Sequence, residues 1–222
     1  MKHGYRLILD IAGRLVYLAG TGFAIYWLGG GASFGMKPIG VTYLVLWTLW
    51  WTVTFLGRQR GESSPYDEPQ KWLVIISGII SVPYLIVVPP WEYAHFSRPL
   101  PRDGVLVWAG LALFFFGIVL QSVAMWQLRS FYTVRLGVKV EQQLVTTGLY
   151  RRIRHPGYLS YILSITGIAL AMSSIATLVL VVLVVLFIIN RIKFEEKMLL
   201  VEFADQYGQY TKRTKKLIPW IY

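Results

Sequence analysis

Hydrophobic positions in this chain form long unbroken runs, with the polar residues gathered between them, and neither strand alternation nor heptads organise it. Gly13 to Gly31, Ile39 to Leu56, Trp72 to Val88 and Gly104 to Met125 each approach the roughly 17 to 25 residues that a helix needs to cross a bilayer. Tyr158 to Asn190 then runs for 33 residues without a charge, too long for one straight span and barely enough for two. Met172-Ser173-Ser174 supplies the natural turn, so a tight helical hairpin is predicted whose ends, His155 and Arg191, return to the same face. From Arg191 onward charges reappear. Ile192, Leu199, Phe203, Tyr207 and Tyr210 recur among them near helical spacing, as in an amphipathic helix lying on a membrane. The predicted fold is all-α: a polytopic membrane bundle of about six spans (five to six), with a C-terminal hairpin and a cytosolic amphipathic helix. Residues 1–126 form a four-span membrane region, and residues 127–222 carry the polar chemistry.

The connectors add punctuation rather than chemistry. Residues 57–71 read as a polar loop without a motif. Pro83 implies a kink in the third span and Pro89-Pro90 a hard stop to it. Residues 89–103, rich in Pro and aromatics, are expected along the interface, with His95 structural. In Thr146 to Tyr161, TTGLYRRIRHPGYLSY, a basic run meets a Pro-Gly break and passes directly into hydrocarbon. Pro156 or Gly157 should open the next helix, because proline pre-sets a helical φ and biases His155 towards an extended backbone.

Composition narrows the classes. With 55% hydrophobic and 15% charged residues, no large water-soluble domain remains. The absence of Cys excludes disulfides and thiolate chemistry, and His3, His95 and His155 are too scattered for a metal cluster, so no metal is expected. Of the 22 Lys and Arg residues, 19 lie in the termini and the even-numbered loops. By the positive-inside rule this puts both termini and the basic run in the cytosol. The net charge of +11 therefore points to anionic lipid headgroups rather than nucleic acid. Trp50, Trp51, Trp72, Trp126 and Trp220 would form the inner aromatic belt.

Arg151, Arg152 and Arg154 crowd a helix start, where backbone amides favour anions, so a carboxylate or phosphate could bind there; a plain positive-inside anchor accounts for the same residues. Arg191 and Glu195 stand four apart on one helix face, leaving Glu196 turned about 100° away and free for another partner. Gly148-Leu149-Tyr150, Arg154-His155-Pro156-x-Tyr158, the hairpin, Arg191-x-x-x-Glu195-Glu196 and Tyr207-Gly208-x-Tyr210 with Ile218-Pro219 together resemble the isoprenylcysteine carboxyl methyltransferase and phospholipid methyltransferase family. The resemblance implies an integral membrane methyltransferase that uses S-adenosylmethionine, with the cofactor held by His155, Pro156, Tyr158, Glu195 and Glu196. It implies a lipophilic acceptor arriving from the bilayer, which Arg154 or Arg191 would neutralise. The family pattern has Gly where this chain has Ser160, a small residue that preserves close approach. Membrane sterol reductases share an HP-x-Y element and use a nicotinamide cofactor, but the paired glutamates disfavour a phosphate-rich ligand. A transporter or scaffold is the remaining class, and the lack of charges within the spans speaks against transport.

Overall fold

The computed structural model describes residues 16, 19–20, 22–24, 26–27, 37–56, 84–85, 87–96, 104–132 and 143–219. Four helices carry the architecture: α1 (Pro38–Leu56), α2 (Val105–Leu128), α3 (Pro156–Ala171) and α4 (Ile175–Arg213). Short 3₁₀ turns follow α2 at Arg129–Phe131 and lie within the basic run before α3 at Gly148–Arg151. Among the described residues α2 and α4 are long and apolar enough to cross a membrane. The proposed first and third spans, and the 57–71 loop, lie largely or wholly outside the described residues.

Small residues set the central pairing of α2 against α3. A Cβ on Gly110 would collide with the Ala171 backbone, one on Gly117 with Ser164, and one on Gly167 with the Phe114 backbone. Without side chains at these points the two backbones approach closely, the means by which helices associate where lipid removes the hydrophobic drive. α1 joins them through aromatic packing and one buried amide. Trp50 meets Phe114 edge-on at 5.7 Å and Trp47 at 5.3 Å, while Trp50 Nε1 donates to Gln121 Oε1 at 2.7 Å and Gln121 Nε2 donates to Thr54 Oγ1 at 3.3 Å. Trp50 is thus a core residue and not a member of the aromatic belt, because its indole N–H finds its acceptor on α2 rather than at the headgroups. Trp126, 69% exposed, fits the belt.

The hairpin turns where expected. Ser173 takes φ 49°, and the Ser174 hydroxyl caps α4 by accepting from Thr177 N at 3.1 Å, satisfying a donor that the helix start leaves open. Residues 87–95 are helical, so Pro89-Pro90 does not stop the chain there; proline's fixed φ is itself helical. Tyr93 of this stretch is buried, and the Glu92 carboxylate accepts from the Ser174 hydroxyl, which ties the stretch to the hairpin turn.

One expectation needs correcting. The amphipathic segment after Arg191 does not begin a helix of its own but continues the second hairpin helix, whose backbone stays helical from Ile175 to Phe203. The break comes at Ala204, whose φ of 41° and ψ of −119° are not helical. Beyond it the helix resumes in a new direction to Arg213, and with the non-helical residues 214–217 it forms a strap, residues 205–217, that folds back. Leu217 packs with Ile188 and Ile192 of α4, and Lys215 forms a parallel bridge with Ile153.

The glycine contacts give a direct test. Gly117→Leu or Gly167→Leu must push α3 off α2, at a cost of about 1 to 3 kcal/mol. A lowered thermal transition in detergent is expected, whereas Gly22→Leu, with nothing within 4 Å of a Cβ, should leave the transition unchanged.

Candidate active site

Pro156 opens α3 and His155 is its N-cap residue, as the sequence predicts. The preceding 3₁₀ turn is pinned to the end of α2. Gly148 sits at φ 60° against the Gln127 side chain with no room for a Cβ, and Leu149 N donates to Gln127 Oε1 at 2.9 Å. On the other flank the strap pairs with the turn: Arg154 N donates to Lys215 O at 2.8 Å, His155 N to Lys216 O at 3.0 Å and Lys215 N to Arg152 O at 3.1 Å. Residues 152–155 are therefore held between α2, α4 and the strap.

The structure brings together every predicted site residue. Arg154 Nε donates to Glu196 Oε1 at 2.8 Å, and its Nη1 donates to Thr214 O at 2.5 Å, Thr214 Oγ1 at 3.2 Å and Thr211 O at 3.3 Å. His155 presents Nε2 to Glu196 Oε1 at 3.4 Å and Nδ1 to Glu195 Oε1 at 3.8 Å. Lys216 Nζ completes the Glu196 shell, 3.1 Å from Oε2. On the hairpin side, Arg191 Nε donates to the Tyr158 hydroxyl at 2.9 Å, which donates in turn to Glu195 Oε2 at 2.7 Å. The two glutamates diverge as their 100° offset requires. Glu196 is not left free, however: the strap and the turn surround it.

Pro156 is buried at the helix start. Ser160 bonds its hydroxyl to Gly157 O at 2.7 Å, and its own carbonyl lies against Gly117, so α2 supplies the glycine at this contact. Sequence reasoning assigned no role to Thr211, Thr214 or Lys216. Their signal was only the basic tail and the Tyr207-Gly208-x-Tyr210 spacing, because a threonine that offers a carbonyl carries no mark in sequence.

The uncharged run of α4 ends at Asn190, so the acidic pair lies beyond the hydrocarbon. There burial pushes the Glu196 carboxyl up, but hydrogen bonds from His155 and Arg154 outweigh this and hold it down at about 2. Glu196 is therefore held as an anion among Arg154, His155 and Lys216. Burial drives the Tyr207 and Tyr210 phenols up, keeping both protonated. Tyr210 donates to Tyr150 O at 2.6 Å, while the Tyr207 hydroxyl is buried without a hydrogen-bond partner.

Chemically the cluster offers a partly exposed carboxylate, Glu195, whose Oε1 is met among the described residues by the long approach of His155. Beside it are a protonated phenol orphaned by burial, an aromatic pair of His155 and Tyr158 at 5.7 Å, and a buried guanidinium, Arg191. A ligand bearing a cation, an aromatic base and polar hydroxyls fits this donor set. Among the described residues no group of His, Asp and Glu could hold a metal ion.

Residues 105–206 match the phospholipid methyltransferase family. A protein-S-isoprenylcysteine O-methyltransferase of Dictyostelium discoideum is 31% identical over 196 residues, covering 86% of this chain and 78% of that protein. A probable protein-S-isoprenylcysteine O-methyltransferase of Oryza sativa subsp. indica is 27% identical over 117 residues, 51% of this chain. That match spans 61% of the rice protein's length. Among solved structures, the eukaryotic intramembrane Ras methyltransferase, isoprenylcysteine carboxyl methyltransferase, aligns with a TM-score of 0.58 over 97% of this chain and 87% of its own, at 19% identity. The likeness to that structure is one of fold.

The clasp around Glu196 predicts an order of effects. Arg154→Gln leaves a half-buried carboxylate and the Thr211 and Thr214 carbonyls short of donors, and should destabilise by on the order of 3 to 5 kcal/mol. Lys216→Gln removes a more exposed partner, worth about 1 kcal/mol or less. Hydrogen exchange at the paired amides of Arg154, His155 and Lys215 should accelerate strongly in the first variant and slightly in the second.

Proposed function

The chain belongs to the isoprenylcysteine carboxyl methyltransferase and phospholipid methyltransferase family, and from that premise we propose that it is a multi-pass membrane methyltransferase using S-adenosylmethionine. The acceptor is lipophilic, an isoprenylcysteine-type carboxylate or a lipid headgroup, and the site faces the cytosol. The observation that supports this most is the convergence at the mouth of an uncharged hairpin: a carboxylate with spare acceptor capacity beside a buried arginine. The basic asymmetry of the loops supports the cytosolic orientation.

When bound, S-adenosylmethionine supplies a sulfonium-borne methyl group electrophilic enough for a carboxylate or thiolate to attack directly. The chain then has three tasks: to bind, to align and to exclude water. Glu195 offers a carboxylate to the cationic part of the cofactor, with Tyr158 and Arg191 fixing its orientation from the hairpin side. His155 and Tyr158 provide ring faces, and the buried Tyr207 hydroxyl is an unused donor. Of the two arginines proposed to meet the acceptor, Arg191 is better placed. Arg191, which also donates to the Tyr158 hydroxyl, stands where the uncharged run ends, at the depth an acceptor's polar end would reach with its tail in lipid.

Two measurements test the reading. Solubilised protein should bind S-adenosylhomocysteine and not NADPH, and Glu195→Gln and His155→Ala should each weaken that binding by about 1 to 3 kcal/mol, with thermal transitions confirming that the variants fold. Binding of NADPH instead would transfer the chain to the reductase class. Methyl transfer to acceptors of increasing chain length, corrected for partitioning, should rise by about 0.8 kcal/mol per buried CH₂ and then plateau. A series flat from its shortest member would mean a small water-soluble acceptor.

A further inference from the structure

The strap brings a second kind of chemistry to its outer face. Arg151 and Arg152 are about sixty positions away from Lys212, Arg213 and Lys215 in sequence, yet the bridge between Ile153 and Lys215 and the bond from Lys215 N to Arg152 O set the two groups side by side. All five side chains are exposed. The inward residues of the same segments, Ile153, Arg154, Thr214 and Leu217, are buried or engaged in the clasp, so the pairing sorts the charges outward.

The position of this face is fixed by α2. The Gly148–Arg151 turn rests on Gln127, next to Trp126, which is 69% exposed and ends the apolar run of that helix. Ile218 beside the patch is 45% exposed. A cluster of cations at the level where an apolar helix ends, flanked by an exposed indole and an exposed aliphatic side chain, has the composition of a surface that rests on headgroups.

We infer that Arg151, Arg152, Lys212, Arg213 and Lys215 form a docking face for anionic lipid headgroups, which holds the strap against the membrane surface. This goes beyond methyl transfer and rests only on the membrane placement of the helices. Five like charges set side by side repel one another, so anionic headgroups that neutralise them favour the pairing of residues 212–215 with the turn.

The absence of cysteine allows a unique probe. The full chain carrying Ile218→Cys, labelled with an environment-sensitive dye, is placed in phosphatidylcholine nanodiscs with increasing phosphatidylglycerol. The emission should shift to the blue as phosphatidylglycerol rises and return on adding salt. In Arg151→Gln/Arg152→Gln, and separately in Lys212→Gln/Arg213→Gln, apparent affinity for the charged surface should fall about fivefold per removed charge, the equivalent of about 1 kcal/mol each. Because the two pairs come from separate segments, misfolding of one leaves the other informative. An emission independent of lipid charge overturns the inference. So does an equal shift in neutral discs on adding inorganic phosphate or an acidic peptide, which would assign the face to a soluble anion or to a protein partner.

Discussion

The bond from Arg154 to Glu196 is the interaction on which the rest of this end of the molecule depends. It joins three segments through one pair of charges: the turn before α3, the charged half of α4, and the strap beyond Ala204, which backbone bonds and the packing of Leu217 also hold to that turn and helix. A buried ion pair by itself contributes little to stability, since removing two charges from water costs about what their attraction returns. Here the remaining hydrogen-bonding capacity is filled: Arg154 also donates to Thr211 and Thr214, and Glu196 also meets His155 and Lys216. The pair is tolerated because its surroundings are complete, and its geometry specifies one arrangement of the strap.

That arrangement gives the adjacent glutamates different surroundings. Glu196 is absorbed by structure, while Glu195, one residue earlier and turned towards the hairpin, keeps an oxygen with spare acceptor capacity and reaches Arg191 through the Tyr158 hydroxyl. The difference follows from helix geometry, since neighbours on a helix point about 100° apart and, although His155 reaches both, their remaining partners lie on opposite sides of it. It also explains why the two arginines differ: one is locked in a clasp of carbonyls and carboxylate, the other sits at the boundary of the uncharged run.

The precision of the site rests in turn on the bundle. α3 carries His155, Pro156 and Tyr158 at its start, and its height and rotation are fixed by the glycine contacts with α2 and by the Ser174 cap at the far turn. Glu92 secures that turn from a third segment. Lipid-facing side chains such as Leu183 and Leu186, 58% and 60% exposed, make no such demands, so the packing information is concentrated in a few small residues.

Much of this was legible in the chain itself. Uncharged runs of bilayer length fix the helices of Ile39 to Leu56 and Gly104 to Met125 because an unsatisfied backbone is too costly in hydrocarbon. A 33-residue uncharged stretch with Ser-Ser at its middle is too long for one straight span and points to a hairpin, and Pro156 after His155 points to a helix start. The proximity of His155 and the Glu195-Glu196 pair follows from that hairpin alone. What sequence did not contain is the direction of the chain after Arg191. Amphipathic spacing is the same whether a helix lies on a membrane or continues straight from a span, and the break falls at Ala204, a residue with no turn propensity. Only the tertiary structure decided that the strap folds back. Its reason is long-range: the donors of Arg154 lie about sixty residues from the Thr214 carbonyl that receives them, and no local pattern encodes a partner at that distance.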